Sequence, residues 1–180
     1  MYERFSSIVR KAFGKYLVAT NVITSGLLMG IGDAAEQEIE IRRKIHPTGT
    51  FDWTRVRDMT SVGLVIGGPQ HYIYEYMDKF LPGTSGRTVV KKIALDQSIV
   101  SPVCIFLFFV GLGVMEKNSI TKGFEEFKKK FITVYSIDWC FWPPAQYINF
   151  AYIPSRFRVI YVNVMTCFYD VFLSYAKFII

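Results

Sequence analysis

Residues 138–159 read DWCFWPPAQYINFAYIPSRFRV and lead straight into VIYVNVMTCFYDVFLSYA, one of the most apolar runs of the chain. Two tryptophans, three prolines, a Gln, an Asn and two arginines stand at the edge of a hydrophobic segment. Proline removes a backbone donor and disfavours helix at the residue before it, so Pro143 and Pro144 are expected to end one helix and Pro154 to break the chain again. Between the breaks Gln146 and Asn149, three residues apart, share a face of a short helical turn. Trp139 and Trp142 suit a headgroup interface, where an apolar ring with an N–H is at ease. Together these features describe a re-entering elbow that fixes a final membrane span.

The rest of the chain supports the membrane reading. Hydrophobic residues make up 51% of its 180 residues, aromatics 17%, and mean hydropathy is +0.25. A hydrocarbon core of about 30 Å needs roughly 20 helical residues. Four runs approach that length: about 16–32, 59–77, 93–115 and 159–176. Period-two alternation is absent, so helices rather than a barrel are expected. The loop 78–92 contains LPGTSG and reads as an exposed turn. Phe124, Phe127, Phe131, Val134, Tyr135 and Asp138 recur at helical spacing, predicting an interfacial amphipathic helix over about 119–142 capped by Ser119. The expected architecture is all-α: a single membrane domain, 1–180, built as a four-helix bundle with that interfacial helix and a basic amphipathic N-terminal helix over 1–15.

The N-terminal helix fits either mitochondrial import or a resting place on anionic lipid. The net charge of +6 is scattered over all the non-apolar segments and points to lipid headgroups as readily as to nucleic acid. Four spans would put both termini on one side, but Lys and Arg divide nine against twelve between the two sets of loops, which decides no orientation. Cys104, Cys140 and Cys167 lack the spacing of a disulfide framework or zinc site and read as unpaired thiols. His46 and His71 have no ligand-spaced neighbours, so no metal or other cofactor is expected. No nucleophile elbow, phosphate loop or dinucleotide fingerprint occurs, and no enzymatic activity is expected.

Two constellations remain. Gly26 and Gly30 in the first span and Gly63 and Gly67 in the second permit close backbone approach, for helix packing or for a narrow pore. Asp33, Asp96 beside Gln97, Asn163 and Asp170 lie within or at the ends of spans. A buried acid in lipid costs about 3 kcal/mol, so these side chains should face the bundle interior, as a hydrogen-bonded belt or the lining of a solute path. Gln146, Asn149, Asn163, Arg156 and Arg158 are the candidate partners.

The elbow carries a pattern, DWxxWPxxQxxNFxxxPxxxR, that resembles the signature of the Mpv-seventeen and peroxisomal-membrane-protein family. Here it is Asp138, Trp139, Trp142, Pro143, Gln146, Asn149, Phe150, Pro154 and Arg158. Gly32-Asp33 with Gln37, DWTRVR at 52–57, Asp96-Gln97 with Pro102, and Asp170 followed by LSYAK extend the likeness over nearly the whole chain. Ile73 and Tyr169 stand where the family usually has tryptophan. The pattern looks closest to the mitochondrial branch called Mpv-seventeen-like protein two. That resemblance implies a multi-pass protein of the mitochondrial inner membrane, or alternatively the peroxisomal membrane. It further implies support of mitochondrial ribosome assembly and translation, with a ribosomal subunit or its assembly factors as partner. Other branches imply a weakly selective channel for small solutes. Arg87, Lys91, Lys92 and the KKK at 128–130 could meet phosphates but lack aromatic stacking platforms, so direct nucleic-acid binding is not expected. Homo-oligomerisation is compatible with the pattern.

Overall fold

A computed structural model describes residues 7, 9–44, 48–117 and 119–176, with side chains described as far as residue 169, Lys117 apart. Residues 1–6 and 8 of the expected N-terminal helix 1–15, and His46, lie outside the described residues; residues 9–12 are helical and 13–16 turn into the first long helix. Every regular element described is helical: α1 (Leu17–Arg42), α2 (Trp53–Phe80), α3 (Gly86–Leu95), a π-helical turn (Asp96–Val100), α4 (Ser101–Lys117), α5 (Ile120–Tyr152), a 3-10 turn (Ser155–Phe157) and α6 (Arg158–Ala176). Helix α1 and the continuous rod Gly86–Glu116 are long and apolar enough to cross a membrane.

Starts and stops follow local chemistry. Asp52 accepts from the Thr54 and Arg55 amides, Ser85 from Thr88 and Ser119 from Lys122, each satisfying orphan donors of a first turn. The expected turn in LPGTSG forms, with Gly83 at φ 93°, a backbone state that glycine adopts without strain. It is shorter than expected, since helix resumes at Gly86 and extends the third span toward its N-terminus.

The largest departure is at the two prolines. Helix α5 runs unbroken through Pro143 and Pro144 for 33 residues, about 50 Å at 1.5 Å per residue. The prolines deprive the Trp139 and Cys140 carbonyls of their helical donors, yet the chain stays helical because the inner face of the same helix is anchored on both sides of them. Asp138 bonds Ser101 and Tyr169 before the prolines, and Gln146 bonds Tyr74 and Asp96 after them. Proline's fixed φ is itself helical, so tertiary contacts override the local preference. The expected break at Pro154 does form: Ile153 is extended at φ −88° and ψ 125°, and the 3-10 turn carries the chain into α6. The elbow is therefore residues 153–157, and Asp138, Trp142, Gln146, Asn149 and Phe150 of the signature before it share one helical face.

Helix α5 also departs from the expected surface position. Its aromatic stripe Phe124, Phe127, Phe131, Tyr135 forms a ladder of ring contacts, and Phe106 of α4 packs against Phe124 and Phe127. A Cβ on Gly123 would lie 2.7 Å from the Phe109 carbonyl oxygen, so α4 and α5 touch backbone to backbone. Contacts from Gly113–Gly123 through Phe106–Phe127 to Ser101–Asp138 make the pair antiparallel along its length. Instead of four spans and an interfacial helix, five long rods alternate in direction, and the two ends of the described chain lie at opposite ends of the bundle.

Helices α1 and α2 pack antiparallel through the expected glycines. A Cβ on Gly63 would meet the Ser25 carbonyl at 2.8 Å and the Gly26 Cα at 2.9 Å, and one on Gly67 would meet Ser25 Oγ at 2.7 Å. Helix α6 lies parallel to α1, with Asn163 bonded to Ser25 and Cys167 to the Leu28 carbonyl. The ends are tied by charge. At one end Arg55 is within 2.7–3.2 Å of Asp33, Glu36 and Glu40, and Gln37 bridges Asp33 to the Asp52 backbone. At the other end Asp78 of α2 binds Lys92 of α3 at 2.7 Å and Arg158 of α6, both cations being almost wholly buried. Burial alone would raise the Asp78 carboxyl, but hydrogen bonds from Lys92 and Ser155 and the charge of Arg158 hold it below the ordinary range.

Gly63→Val forces apart backbones already in contact and should lower stability by about 3 kcal/mol, measured by denaturant unfolding in mixed micelles. Gly68→Ala, whose new Cβ would find nothing nearer than Val22 Cγ2 at 3.9 Å, should be neutral or stabilising. Asp78→Asn strands two buried cations and should cost about 3 kcal/mol. Because the folded Asp78 value lies below the unfolded one, its contribution is complete above about pH 4. It disappears as pH falls through the folded value, so the acid-side loss of melting temperature should be smaller in Asp78→Asn than in the parent.

Candidate functional site

The bundle is inverted relative to a water-soluble one. Among the described residues sixteen buried side chains are polar or charged and twelve are hydrophobic, while Ile23, Leu27, Ile31, Leu64, Val65, Ile99 and Ile132 are exposed. Helix α1 shows how the sequence does this. Asn21, Ser25, Asp33 and Gln37 repeat at multiples of four on the inner face, and Ile23, Leu27 and Ile31 repeat at the same interval outside. Buried polar groups need hydrogen-bond partners, and here they find one another.

Their meeting point is the π-helical turn. An α-helix would bond the Ser101 amide to the Gln97 carbonyl. Here the Ser101 amide reaches back to the Asp96 carbonyl, and Pro102, next in line for Gln97, has no N–H. The orphaned Gln97 carbonyl accepts instead from Tyr135 Oη at 2.9 Å. The widened turn lets consecutive residues Asp96 and Gln97 both point inward, at 3% and 0% exposure.

Asp96 is the hub. Its Oδ1 accepts from Tyr74 Oη at 3.0 Å, and its Oδ2 accepts from Gln146 Nε2 at 2.8 Å and from the Gln97 amide at 3.5 Å. Gln146 also reaches Tyr74 Oη at 2.7 Å, and Asn149 donates to Gln146 Oε1 at 2.8 Å. About two turns of α5 before Gln146, Asp138 accepts from Ser101 Oγ at 2.7 Å and Tyr169 Oη at 2.5 Å. Separate polar pairs, Asn21 with His71 at 2.8 Å and Asn163 with Ser25 at 2.7 Å, join α1 to α2 and α6.

Between these groups lies a cavity of about 220 Å³, bounded by α1, α2, α4, α5 and α6 and including Ser25, Gln70, Asp96, Asp138, Gln146 and Asn163 in its wall. The remainder of the wall is mostly apolar and aromatic, with Phe108, Phe109 and Trp142. The room suffices for a small organic molecule or several waters. Among the described residues no cluster of His, Cys, Asp and Glu could hold a metal.

The sequence-derived candidates separate accordingly. Asp96 and Asn163 line the cavity, and Gln97 is bonded behind Asp96. Asp33 does not join them; it belongs to the Arg55 cluster at one end. The Asp170 side chain lies outside those described. Of the signature residues, Asp138, Gln146, Asn149 and Phe150 are buried on one face of α5, Trp142 borders the cavity and Trp139 is exposed. Arg158, expected to answer a buried acid, pairs with Asp78 instead of the three that were named, and Pro143 and Pro154 take the helical and elbow positions described above. Sequence reasoning missed Tyr74, Ser101, Tyr135 and Tyr169. Gln70, His71, Tyr74 and Asp78 recur at three and four residues in an otherwise apolar helix, a readable polar stripe on α2; nothing comparable marks Tyr135 among its aromatic neighbours.

Comparison with known proteins places these features in a family. Residues 113–174 match the Mpv17 / PMP22 family model, a segment that contains all of α5 and most of α6. PXMP2/4 family protein 4 of Dictyostelium discoideum is 39% identical over 161 residues, covering 89% of this chain and 86% of that protein. Peroxisomal membrane protein PMP22 of Arabidopsis thaliana is 32% identical, covering 86% and 80%. The mitochondrial inner membrane protein Mpv17 of Caenorhabditis briggsae is 28% identical, covering 88% and 84%. No solved structure matches the chain. With relatives above 30% identity aligned over most of its length, and with Asp138, Gln146, Asn149 and Phe150 of the signature on the inner face of α5, the chain belongs to the Mpv17 / PMP22 family of membrane proteins.

Proposed function

We propose that the protein is a non-enzymatic organelle membrane protein whose five rods span the bilayer and whose central cavity is the waypoint of a path for small polar solutes. The observation that carries this reading is the 220 Å³ cavity, with carboxylate, amide and hydroxyl groups in its wall, inside a bundle that exposes many large apolar side chains. Polar groups at membrane depth are costly and concentrate where solutes or ions pass. The charge pattern supports the placement. On α2, Asp58 and Asp78 bound the least charged part of the helix and are twenty residues apart, about 30 Å, the hydrocarbon thickness. Helix α5 is longer than that, and its segment 131–152 carries a single charged side chain, Asp138.

The mitochondrial inner membrane is the proposed location, supported by the basic N-terminal sequence and by the Mpv17 relative; peroxisomal relatives make organelle fractionation the deciding measurement. Support of mitochondrial ribosome assembly is a second reading that rests on the resemblance to one branch. Of the cations it could use, Lys92 is buried in an ion pair, whereas Arg87, Lys91, Lys128 and Lys129 remain exposed. The cavity gives the solute path the stronger structural footing.

The test is osmotic swelling of vesicles reconstituted with the full chain, using erythritol as solute. Vesicles with protein should swell at least tenfold faster than empty ones. Thr166→Trp, which fills the cavity from α6, should return the rate close to that of empty vesicles. Equal rates with and without protein would overturn the reading.

A further inference from the structure

The buried acids of this bundle fall into two kinds. Asp33 and Glu40 face Arg55, and Asp58 faces Arg57. Asp96 and Asp138 are as deeply buried, at 3% and 4% exposure, and their partners are all neutral: Tyr74, Gln97 and Gln146 for one, Ser101, Tyr169 and Trp142 for the other. Among the described residues no Lys, Arg or His is bonded to either. These two are also the acids in the cavity wall, and that wall contains no basic side chain.

A second observation has the same sign. Gln97 Oε1 and Asn149 Oδ1 are buried without a hydrogen-bond donor; both residues stand outside the cavity wall, each bonded to a residue within it, Gln97 to Asp96 and Asn149 to Gln146. What the network has in surplus is acceptors, together with two carboxyls that can carry negative charge only beside a counter-charge. What it lacks is a donor carrying positive charge, and buried carboxylates without a counter-charge are among the most expensive arrangements in a low-dielectric interior.

From this the geometry points to a specific occupant: the cavity is a binding site for a small organic ammonium ion, its N–H donors shared by Asp96 and Asp138 and its apolar body lying against Phe108, Phe109 and Trp142. A primary ammonium supplies the three donors and the charge together. The aromatic wall accepts an alkyl body and attracts the cation's edge through its ring faces. A carboxylate or phosphate ligand would add negative charge to a site that has no cation to receive it. A bare metal cation would leave the apolar wall unused. The inference rests on the cavity being reachable by solutes, as proposed above, and assigns the chemical class that it prefers.

Calorimetric titration of the purified full-length chain in micelles, with protein-free micelles subtracted, tests it with three probes of one size: n-butylammonium, n-butanol and n-butyrate. Butylammonium should bind saturably and at least tenfold more tightly than the other two, and Asp96→Asn and Asp138→Asn should each weaken it at least tenfold. Butanol or butyrate binding as tightly as the ammonium would overturn the assignment, as would unchanged affinity in the folded Asn variants. If those variants do not fold, the three-probe comparison on the parent chain decides alone. Absence of binding by all three probes also overturns it, while erythritol swelling separately reports whether the solute path itself stands.

Discussion

The hydrogen bonds converging on Asp96 hold the architecture together. That one side chain, on the π-helical turn, is bonded to Tyr74 of α2 and Gln146 of α5, and Gln146 closes the triangle by bonding Tyr74. Each such hydrogen bond contributes about 1 kcal/mol between neutral groups and about 1.5–3 kcal/mol where the carboxyl is ionised. In a bundle whose helices gain little from burying apolar surface, since lipid is equally apolar, such bonds and close backbone packing supply the specificity. The π-turn exists to serve this hub. Pro102 withholds the donor that Gln97 would otherwise use, Tyr135 takes its place, and the unwound turn presents two adjacent polar side chains to the interior.

Much of this was legible in the sequence. The glycine pairs of the first two spans pack as their spacing indicated, because four-residue spacing of small residues admits a second backbone whatever else surrounds it. Asp96 and Asn163 face inward because an acid or amide in an apolar run has few other places to go. Ser119 caps α5 at its start, and Pro154 follows its end. The family likeness was carried by residues that prove to share one helical face, 138, 142, 146, 149 and 150, at steps of three, four and one.

What the sequence concealed was tertiary. Local propensity says that Pro143-Pro144 ends a helix, and nothing nearby in sequence reveals that Ser101, Tyr169, Tyr74 and Asp96 grip the helix on both sides. The aromatic stripe of α5 has the periodicity of a surface-lying helix, and only the Gly113–Gly123 contact with α4 distinguishes it from a packed rod. Asp33 looked like a member of the central belt because it ends an apolar run. Its fate was set by Arg55, in the next helix, which gathers three acids from α1 at the bundle's end.

The central claim is the inversion itself, polar inside and apolar outside, with lipid as the solvent of the outer face. Spin labels at Ile23, Leu27 and Ile31, one at a time in the reconstituted full-length chain, measure it directly through collision with oxygen, which concentrates in lipid, and with a water-soluble nickel chelate. Exposed at 53%, 55% and 60%, these three positions should all show oxygen collisions dominating, with depth increasing toward the middle of the span. Nickel dominating at all three would mean that water covers this face, and the inverted-bundle account would be wrong.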